Sequence, residues 1–223
     1  MWYQAPASGG GGPVGSPNLQ SFTTNAATTG TSFNLTVNPS GANILMIFRA
    51  DWFPSTSTAN TPTWNGSSAG VLLLTNSLWD SSAIGDMRAW ALVAPTTGSH
   101  TANFTFNTAI QELTYSVYVF TNAAQIANVY SGLVSSNSTS GVTTFTVNTP
   151  STVGDYVLGM ITVANSAETI TPTGSLTNFM STAPGTSMHQ AAASGTNATV
   201  ASTKMAWSWS GGFRVGTIDI SIK

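Results

Sequence analysis

The sequence predicts an all-β protein: a two-sheet antiparallel β-sandwich, jelly-roll-like and internally duplicated, with an extended N-terminal arm. Short β-prone runs recur between turns rich in Gly, Pro, Asn and Ser, which is typical of sandwiches and barrels. No segment keeps the apolar period of an amphipathic helix for more than one or two turns. An immunoglobulin-like strand order fits the same pattern, so the jelly-roll order is the finer part of this prediction.

The duplication is predicted by an echo between the halves of the chain. Phe33–Ile47 reads FNLTVNPSGANILMI, and Phe145–Ile161 reads FTVNTPSTVGDYVLGMI. Each segment has a β-prone run, a Pro-Ser turn and a second, apolar run, and a Thr-Pro-Thr follows at 61–63 and at 171–173. We expect pseudo-repeats at about 31–124 and 142–223 within a single sandwich domain spanning 31–223.

Residues 1–30 are expected to form an arm outside the sandwich. Gly9–Gly12 is a run of four glycines, and Pro13 and Pro17 follow it, so neither a helix nor a central strand is predicted. Such a segment is either a free tail or an arm on a neighbouring subunit. Trp2 and Tyr3 favour the arm, because large aromatic side chains at its tip are predicted to bind a partner.

The strands are predicted from β-prone runs bounded by turn residues. Ile44–Phe48 is apolar throughout, so we expect a central strand covered on both faces. In the last strand, Ile218, Ile220 and Ile222 alternate with smaller or polar residues and are expected to face the core. The predicted strands are Ser32–Val37, Ile44–Ala50, Val71–Thr75, Met87–Val93, Ala102–Asn107, Leu113–Thr121, Val142–Asn148, Tyr156–Val163, Leu176–Met180, Ser187–Ala193, Thr199–Trp209 and Phe213–Ile222.

The composition narrows the classes of partner. Only 5% of the residues are charged and the net charge is −2, so neither nucleic acid nor an anionic membrane is an expected partner. No apolar run reaches the roughly 20 residues that span a bilayer. The surface is expected to be rich in Ser and Thr, with little repulsion between copies. The first residues lack the pattern of a signal peptide, which predicts synthesis in the cytoplasm.

Few residues are candidates for catalysis. Asp51 and Asp86 are a conceivable carboxylate pair for glycoside hydrolysis. Arg49 and Arg88 lie two residues from them, so cross-strand ion pairs are the favoured interpretation. The sequence has no G-x-S-x-G nucleophile motif, and two histidines without cysteine are a poor zinc set. We therefore predict a protein that is not an enzyme and has no cofactor or metal.

Three tryptophans fall in or near predicted loops, namely Trp52, Trp64 and Trp79. These side chains are candidate ligand or interface residues: they either stack on sugar rings, or plug the loops or anchor a neighbour, and the second alternative is favoured. Trp90 and Trp207 fall in predicted strands and are expected in the core.

Short strand and turn motifs occur at Val37–Met46, Pro62–Gly66, Trp90–Gly98, Lys204–Trp209 and Ile218–Lys223. Together they resemble a family of β-sandwich domains, roughly 190 residues long, found in bacterial secreted proteins and phage structural proteins. The resemblance covers residues 31–223 and implies the fold, with a phage association by analogy alone.

The leading hypothesis is a virion structural protein that decorates or cements a capsid. Its expected partners are other copies of itself and a major capsid or other virion protein. The alternative is a carbohydrate- or receptor-binding module of a tail fibre or a secreted adhesin, which would be extracellular.

Overall fold

The computed structural model describes residues 15–54, 56–68, 70–77, 85–126, 128–164, 169–182 and 190–223, without the side chains of 74–77 and 190–192. These residues form antiparallel β-strands packed as a sandwich, which confirms the predicted fold class. They include no helix that is long and apolar enough to cross a membrane.

The first half of the chain is a jelly roll. Its strands form two sheets, ordered β1-β9-β3-β7-β6 and β2-β8-β4-β5. We count β5 and β6 as one strand that passes from one sheet to the other, which leaves eight strands. Lettered B to I in chain order, from β1 to β9, these strands follow the jelly-roll order, with B-I-D-G in one sheet and C-H-E-F in the other. The strands are β1 (Asn18–Ala27), β2 (Gly30–Val37), β3 (Leu45–Phe53), β4 (Thr63–Trp64), β5 (Ser67–Ser68), β6 (Val71–Ser77), β7 (Asp86–Val93), β8 (His100–Ile110) and β9 (Glu112–Thr121).

The second half repeats this order with two very long strands. The sheet is β10-β15-β11-β14-β13, and β12 also pairs with β15. β10 and β15 pair along their whole length, with a register shift between Ser138 and Val142 where the pair bends from one layer into the other. The strands are β10 (Tyr130–Pro150), β11 (Tyr156–Val163), β12 (Thr171–Pro172), β13 (Thr177–Thr182), β14 (Gln190–Asn197) and β15 (Ser202–Ile222).

The structural repeats begin earlier than the predicted ones. They run over 18–121 and 130–222, because β1 corresponds to the first part of β10. Asn18–Ala27, which the sequence placed in the arm, instead pairs with β9 at the edge of a sheet. This strand reads NLQSFTTNAA, and its mostly polar side chains give a weak signal. Residues 1–14 lie outside the described residues.

Each repeat is a sandwich by itself. The first has two sheets, and the second has one sheet whose long strands β10 and β15 run through both layers. The described residues therefore form three sheets instead of the predicted two. One hydrophobic core lies inside each jelly roll, and a third lies between the five-stranded sheets of the two rolls. Ile47 faces this middle core and Phe48 faces the core of the first roll, which confirms that β3 is covered on both faces. Ile218, Ile220 and Ile222 face the middle core.

The two rolls are related by an approximate two-fold axis along the strands. β1 of the first roll lies against β13 of the second, where the rings of Phe22 and Phe179 are 5.3 Å apart. At the other edge, β6 contacts β10. Such an arrangement places equivalent loops of both rolls at the same end of the molecule.

Candidate functional site

The candidate carboxylate pair does not form a catalytic site. Asp51 lies opposite Met87 in the β3–β7 ladder, whereas Asp86 lies opposite Trp52. Directly opposed residues share a face of the sheet, so Asp51 and Asp86 are on opposite faces and cannot flank one substrate. The described residues contain no group of three His, Cys, Asp or Glu that could hold a metal.

Both aspartates pair with the arginines that the sequence singled out. The Arg49 Nε–Asp51 Oδ2 distance is 2.7 Å, and the Arg88 Nη2–Asp86 Oδ2 distance is 3.4 Å. Each pair lies within one strand, two residues apart, so the prediction of cross-strand pairing was wrong. Residues i and i+2 share a face of a strand, which brings their side chains together without a partner strand.

Arg49 joins the two jelly rolls. Its Nη2 donates to the Ile161 carbonyl oxygen at 2.7 Å and to Thr162 Oγ1 at 3.0 Å, both on β11 of the second roll. The side chains of Arg49 and Asp51 are fully buried. Burial raises the pKa of Asp51 to about 6, although the Arg49 charge and its hydrogen bond lower it. This pair therefore fixes how the rolls sit on each other.

The structure describes Trp52 and Trp64 of the three loop tryptophans, and both are buried, as the plugging alternative predicts. Trp52 is 0% exposed and Trp64 is 4% exposed. Trp52 Nε1 donates to the Ser57 carbonyl oxygen at 2.9 Å, and Trp64 Nε1 donates to Thr96 Oγ1 at 2.9 Å. Both residues lie on strands, Trp52 near the end of β3 and Trp64 on β4, and their indoles face the core of the first roll.

Three further predicted binding residues cannot be placed, since Trp2, Tyr3 and Trp79 lie outside the described residues. Of the two histidines, His189 also lies outside them. His100 is half-buried, with its ring edge-on to Trp64 at a centroid distance of 5.4 Å. Its Nε2 is 3.0 Å from the Thr97 carbonyl oxygen. His100 therefore supports the end of the first roll.

The interior of the second roll carries polar groups where the first has apolar ones. Asp219 is fully buried opposite Gly159, whereas the equivalent pair in the first roll is Val117 and Phe48. Burial raises the pKa of Asp219 well above its usual value, opposed by the Thr217 hydroxyl and the Arg49 charge. We find that sequence reasoning missed this feature.

Further buried polar atoms of this interior have no hydrogen-bond partner of good geometry among the described residues. Ser194 lies opposite Gly159 on the other side from Asp219, so the three residues form one row across the sheet. Such atoms are rare in folded proteins and often mark functional positions. They are Thr149 Oγ1, Ser194 Oγ, Trp207 Nε1, Trp209 Nε1 and both carboxylate oxygens of Asp219.

A groove of about 520 Å³ opens at the edge of the second roll. In the first roll, β5 fills the corresponding place by pairing with β4. In the described part of the second roll, no strand pairs with the outer edge of β12. The groove is lined by Thr173, Gly174, Ser175, Thr196, Asn197, Thr199, Val200, Thr203, Lys204 and Ala206.

One end of the molecule exposes apolar residues beside the start of the described chain. Ile126, Val153 and Val200 are 54%, 68% and 55% exposed, and we call them the end patch. The turns of Val153 and Val200 are linked by a hydrogen bond from Gly154 N to the Ala198 carbonyl oxygen at 3.0 Å. A Cβ on Gly154 would lie 3.5 Å from Ser16 Oγ, so residue 16 passes this same turn.

The start of the described residues, Lys223 and the linker between the rolls all lie near the end patch. The linker carries Ile126, and Ala124 N donates to the Lys223 carbonyl oxygen at 2.7 Å. Strand β15 ends at Ile222, beside the start of β11.

Comparison of the chain with protein-family models, curated proteins and solved structures found no match.

Proposed function

We propose that this chain is a non-enzymatic structural protein of a virus particle, which decorates or cements the capsid. The observation that carries the proposal is the tandem of two jelly rolls packed on each other through a middle core. Jelly rolls are common in viral capsid proteins, and also in lectins and cupins, so the fold supports the class by analogy.

The exterior supports the proposal further. The chain has only five Lys and Arg and seven Asp and Glu, and Arg49, Asp51 and Asp219 among them are fully buried. The remaining surface therefore carries very little charge, and copies can pack densely with little repulsion. The Ser and Thr hydroxyls keep this surface hydrated without adding charge.

The end patch is the attachment surface in this proposal. Ile126, Val153 and Val200 supply exposed apolar area, and Ser16, near the start of the described chain, lies beside the Val153 turn. Trp2 and Tyr3 then act as aromatic anchors in a pocket of a neighbouring copy or of the major capsid protein.

Quantitative mass spectrometry of purified particles from the source culture tests this function. We expect the number of copies of this protein per copy of the major capsid protein to be near stoichiometric. A ratio of a few per cent would overturn decoration in favour of a tail or fibre component, and absence from particles would overturn the virion assignment.

Three variants, of which one is a control, test the attachment surface on particles that lack the protein. Deletion of residues 1–14, or Val153→Ser with Ile126→Ser, should abolish rebinding. Val71→Ser, at a residue 69% exposed on β6, should leave it intact. Equal binding of all variants would overturn the role of the end patch.

A further inference from the structure

The two jelly rolls have diverged inside. The first has a core of large apolar side chains, with Phe33, Phe48 and Phe104 between its sheets. At the position of Phe48 the second roll has Gly159, beside Ser194 and Asp219. These polar groups lie beside the apolar core of the second roll, which contains Met205 and Trp207. Buried polar atoms without a hydrogen-bond partner destabilise a fold, so such positions require an explanation.

The groove lies at the mouth of this interior. Thr196 is two residues from Ser194 on the same face of β14, and Thr203 lies opposite Thr149 in the β10–β15 ladder. Ser194 and Thr149 are fully buried and carry hydroxyls without a partner among the described residues. The polar character therefore continues from the rim of the groove into the roll.

The lining has a distinct chemistry. Hydroxyls and the Asn197 amide supply hydrogen-bond donors and acceptors in several directions, which suits a ligand with many hydroxyl groups. The lining has no carboxylate and no aromatic ring, and Lys204 is its one cation. Pockets of roughly 300–1,000 Å³ hold small-molecule ligands, and this groove lies in that range.

We infer that the mouth of the second jelly roll binds a saccharide unit that carries a carboxylate. Its ring hydroxyls hydrogen-bond to Asn197 and the threonines, and its carboxylate pairs with the Lys204 ammonium. The site contains none of the loop tryptophans, and it shares Val200 with the end patch. The inference does not use the particle-attachment role, so it stands or falls independently of the proposed function.

Saturation-transfer NMR and calorimetry on the full chain test the inference with three probes: glucuronic acid, glucose and acetate. We expect glucuronic acid to bind with a dissociation constant in the millimolar range, as roughly −4 kcal/mol corresponds to 1 mM. Glucose should bind about tenfold more weakly and acetate not measurably, since the pairing of carboxylate and ammonium adds to the hydroxyl contacts.

The variants separate the charge from the shape of the groove. Lys204→Gln should weaken glucuronic acid about tenfold and leave glucose unchanged. Thr199→Trp, which fills the rim from an exposed position, should remove binding of both sugars. Lys223→Gln is the matched control, as it removes another exposed lysine outside the groove.

Both Lys204 and Thr199 are exposed, so the variants are expected to fold, and circular dichroism checks this. No binding of either sugar at concentrations of tens of millimolar would overturn the inference. Glucuronic acid binding of undiminished affinity in both Lys204→Gln and Thr199→Trp would also overturn it.

Discussion

Arg49, on the central strand of the first jelly roll, donates a hydrogen bond to the carbonyl oxygen of Ile161 on the central strand of the second, at 2.7 Å. The same guanidinium holds Asp51 of its own strand. One buried side chain thus pairs with a carboxylate oxygen on one roll and a backbone carbonyl on the other. Loss of the Arg49 guanidinium would therefore remove contacts within the first roll and between the two rolls.

Arg49→Met should destabilise the protein by about 3–5 kcal/mol at neutral pH, because it leaves a buried carboxylate without its counter-charge. Urea unfolding followed by tryptophan fluorescence measures the loss. Arg49→Met combined with Asp51→Asn should recover much of it, because the buried charge is then gone. A single variant within about 0.5 kcal/mol of the wild type would contradict the bridging role.

Stability should fall as the pH rises from about 4 to above 6. The folded-state pKa of Asp51 is about 6, against 3.8 as the usual value, and the pKa of Asp219 is also raised. An acid with a raised folded-state pKa stabilises the fold below its unfolded pKa and loses that contribution as the pH rises through the folded pKa. Urea unfolding at pH 4 and pH 7.5 measures the difference.

Asp219→Asn is the control for this pH dependence. It should stabilise the protein at pH 7.5, where burying the charge is unfavourable, and change little at pH 4, where the carboxyl is protonated. A variant that loses stability equally at both pH values would show that the carboxyl geometry matters more than its charge.

Gly159→Ala should destabilise the second roll by about 1–3 kcal/mol through overpacking. A Cβ there would lie 2.6 Å from both Met205 Cε and Trp207 Cζ2. Thermal unfolding measures the shift. Gly66→Ala is the control for backbone strain. A Cβ on Gly66 would have no atom within 4 Å, and the φ angle of Gly66 is 76°, so only the backbone conformation opposes this substitution. Gly211→Ala is a poor control because its Cβ would contact the ring of Phe213.

Trp64→Ala should cost about 3–5 kcal/mol of folding free energy, as expected for a buried indole. The same variant should leave saccharide binding at the second roll unchanged. Chemical denaturation and the glucuronic acid titration measure the two effects. Loss of sugar binding with unchanged stability would restore the loop-aromatic interpretation.

The repeat could be predicted because its turns are chemically distinctive. Pro39-Ser40 lies between β2 and the buried strand β3, and Pro150-Ser151 lies between β10 and the buried strand β11. The two turns are therefore at equivalent positions of the two rolls. β1 could not be predicted with the same signal, since an edge strand needs few apolar residues. Its membership of the fold follows from pairing with β9, which is separated from it by most of the repeat.

The candidate site was harder to predict for a related reason. In an exposed sheet, Asp219 between Ile218 and Ile220 would face water. Here both faces of β15 are covered, so the polar residue is buried as deeply as its neighbours. Likewise, the position of Trp64 near a turn gave no indication that Trp64 belongs to β4 and faces the core of the first roll. Both outcomes depend on layer stacking, which local pattern does not encode.

The approximate two-fold axis makes the molecule equivalent to a dimer of single jelly rolls held on one chain. A true dimer with this middle core would separate on dilution, since its stability depends on subunit concentration. Joining the rolls through the segment that carries Ile126 removes that dependence. It also allows the two rolls to differ inside. The first keeps Phe48 and Val117 in its core, whereas the second has Gly159 and Asp219 at the equivalent positions beside its own apolar core, a difference that two identical subunits cannot have.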